Sequence, residues 1–354
     1  MIKKDLVNEK KWENALTKKL MHHENSSILF VLLLVIALVV LAEFFLARGM
    51  VFKDLAFLSS RNISSVLQQV SITGILAIGM TLVMLMGGID LSVGQLMGFI
   101  GVLMASLIKA GNLPMWSIVL IGMSTAIVCE LLMGLIISRT KLESFIVSLG
   151  FMSIYQGFIY LITNGREISI GDKFEFIGKT SINITSNFKI FSSVILYVLL
   201  TVIVWLAIKY TKFGRRLYFV GGNENSAFLA GIGVKNFKLW VYGLNGFFVS
   251  IASMIMISRL STGGPNMGQG KEIDVIASVV VGGTAMSGGK GNVWGALIGV
   301  ILLGCISNAL NILGVNPYYQ YVMKGGLIVL SVFIGYYSGL RKKSKTRLNQ
   351  RSIA

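Results

Sequence analysis

Apolar residues in this chain gather into long continuous runs. They show neither the alternation of strands nor the single stripe of a soluble helix. The runs cover about 28–47, 66–86, 95–109, 115–138, 144–162, 191–208, 237–258, 273–286, 293–313 and 321–338. A helix needs roughly 20 apolar residues to cross a bilayer core of about 30 Å. Most of the runs meet that length, while the third and eighth are short for a full span. The pattern predicts an all-α fold, a polytopic transmembrane bundle of about ten helices. Residues 48–65 mix apolar and charged positions around Phe52-Lys53-Asp54 and are read as a stretch at the outer interface. The longest outer loop, 163–189, carries the nearly balanced set Arg166, Glu167, Asp172, Lys173, Glu175, Lys179 and Lys189.

Composition agrees with the pattern. Hydrophobic residues make up 54% of the 354 positions and charged ones only 13%, against about a quarter in soluble domains. The net charge of +17 sits in short pieces between apolar runs. Such pieces set topology and meet anionic lipid, so membrane lipid is the expected partner and nucleic acid is not. With the N-terminus inside and the helices alternating, most of the 32 Lys and Arg fall on the inner side. Both termini are therefore expected in the cytoplasm. The chain divides into a basic N-terminal extension (1–27), a membrane domain (28–340) with a cytoplasmic loop (209–236), and a basic tail (341–354). The polar stretch before the first run lacks the pattern of a cleavable signal peptide. Cys129 and Cys305 lie within apolar runs and read as small helix residues.

One internal echo stands out. Gly87-Gly88-Ile89-Asp90-Leu91-Ser92-Val93-Gly94 has the form GGxxxSxG, and Gly282-Gly283-Thr284-Ala285-Met286-Ser287-Gly288-Gly289 repeats it. Glycine-rich interruptions at corresponding places in two halves of a transporter point to its pathway. Gly87, Gly88, Gly94, Gly282, Gly283 and Gly288 are the candidate breaks. Asp90 is open to three readings: a cap for the next helix, a group at the inner surface, or a lining residue of the path. Gln68, Ser92, Gln95, Asn245 and Asn308 are the further path candidates, as amides and hydroxyls suited to a polyhydroxylated solute. The same groups also join helices within bundles. Glu272 and Asp274, beyond the Gly263-Gly264-Pro265-Asn266 turn, read as solvated charges pairing locally with Lys271.

The cytoplasmic loop holds a second signal. Asn223 is an N-cap candidate, Glu224 to Ala230 a short helix, and Gly231 its stop. Such a helix exposing Phe228 and Leu229 suits docking of a soluble partner, the alternative being a surface helix that faces lipid. Catalytic or metal-binding chemistry has no support. The two histidines, His22 and His23, lie in the N-terminal extension. The nearest approach to a phosphate-binding loop ends at Gly289-Lys290, with Thr284 and Gly291 where Gly and Ser/Thr are required. No cofactor is expected in this chain, and any ATP would be bound by a partner.

Four stretches together resemble the ribose/galactose/xylose-type ABC transporter permeases: 87–94, 213–232, 272–291 and 310–325. The resemblance runs in order from about residue 28 to 340. It implies the inner-membrane permease subunit of a monosaccharide importer in a bacterial cytoplasmic membrane, not an enzyme. It further implies pairing with a second copy or a close paralogue, a separate cytoplasmic ABC ATPase, and an extracytoplasmic sugar-binding protein. Gly221, Gly222, Asn223, Glu224, Ala227, Phe228 and Gly231 then fall in the segment that couples to the ATPase. The rival is an ion-gradient-driven secondary carrier, which requires ionisable groups deep in the helices. Glu130 and Lys324 are its candidates.

Overall fold

The computed structural model describes residues 56–316 apart from 141, 186 and 187, with isolated positions 33, 36, 318–320, 322, 325 and 326. The expected first and last membrane segments (28–47 and 321–338), the N-terminal extension and the tail lie outside the described residues, the isolated positions aside. Ten helices fill the described region: α1 (Ser60–Leu85), α2 (Val93–Ala110), α3 (Met115–Arg139), α4 (Ser144–Thr163), α5 (Ser192–Tyr210), α6 (Lys212–Gly222), α7 (Glu224–Leu229), α8 (Val234–Leu260), α9 (Lys271–Val281) and α10 (Val293–Ile312). Among them α1 to α5, α8 and α10 are the seven long and apolar enough to cross a membrane. Strand is confined to two antiparallel pairs. β1 (Ile168–Ser169) pairs with β4 (Thr262–Gly263), and β2 (Ser181–Asn183) with β3 (Lys189–Phe191).

Three expectations are corrected. α1 begins six residues early, because the Ser59 hydroxyl accepts from the Asn62 N–H and caps a polar first turn that hydropathy reads as loop. The eighth apolar run ends as helix at Val281, five residues early, where Gly282 and then Gly283 at φ +88° leave the helical path. At 11 residues α9 rises about 16 Å, roughly half a bilayer core. α6 occupies 212–222, where the apolar pattern predicts no helix. Its Lys212, Arg215 and Arg216 are exposed and its Leu217 and Val220 buried, so it lies along the protein as an amphipathic segment.

The bundle is layered by burial. About 83% of the apolar stretch of α1 and of α8 is buried, against 17% in α4. α1, α2 and α8 therefore form the centre, and α3, α4, α5 and α10 surround them. Small residues set the close approaches, as expected where lipid supplies no hydrophobic drive between helices. A Cβ at Gly134 (α3) would press on the Tyr242 ring of α8, and one at Gly246 (α8) on the Ala126 backbone of α3. α9 and α10 form a tight hairpin, in which a Cβ on Gly299 would overlap the Ser278 carbonyl.

The loops 164–191 and 261–270 are stitched to the bundle. Gln68 of α1 donates to the Gly178 carbonyl at 2.7 Å, and the Ser64 hydroxyl accepts from Lys189 N–H. The β1–β4 pair ties the 164–191 loop to the loop before α9. Gln156 of α4 donates to the Pro265 carbonyl in that second loop. Within 164–191, Lys179 pairs with Glu175 at 2.5 Å and with Asp172 at 3.6 Å.

Candidate functional site

The first break is built from the end of α1. Gly87, at φ +87°, turns the chain out of the helix, and its N–H and that of Gly88 reach back to the Met84 and Val83 carbonyls. Residues 88–92 then run unwound through the bundle interior. Unwound backbone at membrane depth must find partners inside the protein. The Ile89 N–H donates to the Ser144 hydroxyl at 2.9 Å, and Leu91 N–H to the Ser148 hydroxyl at 3.0 Å. These serines stand one turn apart on the first two turns of α4.

Asp90 sits at the middle of that segment with no exposed surface. Its Oδ1 accepts from the Ser92 N–H (2.8 Å) and Ser92 hydroxyl (2.7 Å), and its Oδ2 from Asn245 Nδ2 (2.8 Å). Ser92 and Asn245 are equally buried. Asn245 lies eleven residues into α8, about 16 Å from its N-terminal end. Asp90 is therefore an interior group and not a surface one, and its carboxylate accepts from Ser92, the N-cap residue of α2, without capping the helix's own N–H groups. Glu130 of α3 is also fully buried, midway between Ala126 and Gly134, which pack against Gly246 and Tyr242 of α8, so it lies on the α3 face turned toward Asn245 and the Asp90 it binds. Tyr242, one turn from Asn245, brings its hydroxyl against Gly88.

Of the path candidates, the fold brings Asp90, Ser92 and Asn245 together. It does not bring Gln68 or Asn308 to them. Gln68 is bonded to the 164–191 loop, and Asn308 makes a reciprocal amide pair with Asn62 at 2.8 and 2.9 Å. Gln95 is buried with its Oε1 lacking a hydrogen bond. Glu272 departs from the solvated reading. It is buried, and a Cβ at Gly94 would overlap its carboxylate, whereas Asp274 does pair with Lys271 at 3.7 Å. Sequence reasoning gave Glu130 only to the rival carrier and passed over Tyr242, Ser144 and Ser148. The one available signal was spacing: Ser144 and Ser148 at i, i+4, and Tyr242 and Asn245 at i, i+3.

The second break repeats the first with a shift of one residue. Gly283 and Thr284 donate back to Val280 and Val279, as Gly87 and Gly88 do to Met84 and Val83. Structurally, then, Gly283 corresponds to Gly87, although the motif aligns Gly282 with it. The two breaks meet. Gly289 N–H donates to the Leu85 carbonyl at 2.9 Å, and a Cβ on Gly288 would lie 2.8 Å from Gly87 N. The end of α6 joins them at the same point. A Cβ on Gly221 would overlap the Leu85 carbonyl and crowd Gly289 N, and the Tyr218 hydroxyl donates to the Gly291 carbonyl at 2.8 Å.

α7 projects from this joint. Asn223 caps it through the Ser226 N–H, and Gly231, at φ +81°, lies two residues past its end. Lys238 holds Glu224 at 2.6 Å and ties the helix to α8. Phe228 and Leu229 are 69% and 84% exposed. Ala227 is fully buried and faces the protein, so it is a foot of the helix and not part of its outer surface. Gly222 has open space around it. Among the described residues no group of three His, Cys, Asp or Glu side chains could hold a metal.

Residues 62–332 match the family described as branched-chain amino acid transport system / permease component. The chain is 38% identical to the ribose import permease protein RbsC of Bacillus subtilis over 298 residues, 82% of this chain and 87% of that one. It is 34% identical to the D-allose transport system permease protein AlsC of Escherichia coli over 276 residues, 78% and 83% of the two chains. Identity to the xylose transport system permease protein XylH of Haemophilus influenzae is 31% over 361 residues, 86% and 95% of the two.

Proposed function

The chain belongs to this family of transport-system permease components, and from that premise we propose that it is the membrane subunit of an ATP-driven importer of a monosaccharide such as ribose, xylose or allose. The observation that carries the proposal is the joint where the end of α6 meets both glycine breaks. It gives a cytoplasmic docking helix a direct mechanical connection to the interior of the bundle. A gradient-driven carrier has no use for such a helix.

In this reading a separate ABC ATPase receives Phe228 and Leu229 of α7. Closure of the ATPase pulls on α6, and Gly221 passes the displacement to Leu85 and Gly289. A ligand moves such an equilibrium only by preferring one of its states. Docked sugar-binding protein outside and ATP inside must therefore each favour a different arrangement of the breaks. The apolar segments 28–47 and 321–338 join the seven spans, and α9 together with the unwound stretch after it makes the tenth crossing, which leaves both basic ends inside. A second copy or a paralogue supplies the other half of the pathway. Asp90, Ser92 and Asn245 support the path by fixing the shape of the first break, since they are sealed from solvent in this conformation.

The test is purification from membranes in mild detergent, followed by reconstitution in liposomes with the co-purifying ATPase and binding protein. ATP-dependent uptake of labelled ribose, xylose or allose is expected. Uptake by the chain alone, without ATP, would overturn the reading in favour of the gradient-driven carrier.

A further inference from the structure

The functional reading leaves Glu130 unused. It is fully buried in α3, and neither of its carboxylate oxygens has a hydrogen-bond donor. Its neighbour Asp90 already receives three donors, the arrangement of an ionised carboxylate. The groups facing the pair are Cys129 on α3, Tyr155 on α4 and Tyr242 on α8. Among the described residues no cation faces the pair. Two ionised carboxylates in contact within a bundle, with no positive group between them, repel each other and lose hydration together. One proton removes both difficulties, since a protonated Glu130 becomes an O–H donor aimed at an acceptor already in reach.

We propose that Glu130 and Asp90 share one proton, leaving one negative charge on the pair, and that this pair is a positioning device clamping the first glycine break to α3 and α8. The proton bridges Glu130 and Asp90 with no other bond made or broken. The remaining charge is spread over the Ser92 N–H, the Ser92 hydroxyl and the Asn245 amide. Glu130 acts on the pathway through Asp90 and touches no solute. The inference rests on the permease reading only for its uptake assay.

Infrared spectroscopy of the purified full chain tests the proton directly. A protonated carboxylic acid C=O band is expected near neutral pH, shifting in D2O and absent from the Glu130→Gln variant. The amide of Glu130→Gln keeps a donor in place of the shared proton. Uptake by that variant should stay within about twofold of wild type, while Glu130→Ala should lose about tenfold or more. Absence of the acid band overturns the proposal. So does a Glu130→Gln variant as inactive as Glu130→Ala, which would mean that the ionised form is required. Uptake or thermal stability that rises specifically with sodium or potassium would put a cation in the proton's place and overturn it equally. Should Glu130→Ala fail to fold, the band and the glutamine variant still decide. The band is read without transport, so failure of the importer reading leaves this test intact.

Discussion

At the scale of single residues, this protein's interior depends on a few hydroxyls and amides that replace helix hydrogen bonds lost at the breaks. Ser148 accepts from Leu91 N–H where no carbonyl is available. Ser148→Ala should leave that N–H unpaired and cost about 1–3 kcal/mol, read as a lower melting temperature in detergent. An unchanged melting temperature would mean that the break relaxes to another partner. Gly134 makes the opposite demand, for absence of volume beside Tyr242. Gly134→Val should destabilise the chain by about 1–3 kcal/mol through overpacking, measured in the same way.

At the scale of elements, the α6–α7 unit divides into a foot and a tip. Ala227 and Gly221 are the foot, packed into the protein, and Phe228 and Leu229 are the tip. Replacing both Phe228 and Leu229 with Asp should leave membrane insertion and melting temperature unchanged and abolish co-purification of the ATPase. Retained co-purification would sink the docking assignment. Gly221→Val acts on the other side of the joint. Its side chain has no room beside the Leu85 carbonyl. ATPase binding should survive while uptake per ATP hydrolysed falls severalfold, the mark of a broken transmission.

At the scale of the whole molecule, the loops at one end of the bundle are bonded to one another and to the central helices. The 164–191 loop is bonded to α1 through Gln68 and to the loop before α9 through β1 and β4. The loop before α9 continues into the segment that packs against Gly94. The orientation predicted from charge is checked in a variant with Cys129 and Cys305 replaced by Ala. Asp172→Cys should react with a membrane-impermeant thiol reagent in intact cells, and Arg216→Cys only after permeabilisation. The reverse labelling would invert the topology and remove α7 from the ATPase side.

Much of this architecture was legible in the sequence. Six of the seven spans follow from run length, since the bilayer sets a length that apolar residues must meet, while α2 reaches a span's length only with Val93, Gly94 and Ala110 added to its short run. The α7 helix follows from Asn223 and Gly231, whose cap and turn chemistry is local. Sequence also located both breaks, because glycine pairs leave a helix under local rules. Tertiary structure alone decided the rest. That Asp90 faces Glu130 and Asn245, that Glu272 is buried against Gly94, and that Gly221, Leu85 and Gly289 meet at one point are contacts between segments far apart in the chain. Hydropathy reports only whether a residue suits an apolar environment. It is silent on which small residue lets another backbone close in, and on which buried acid finds a donor there. Those outcomes are set by the packing of whole helices.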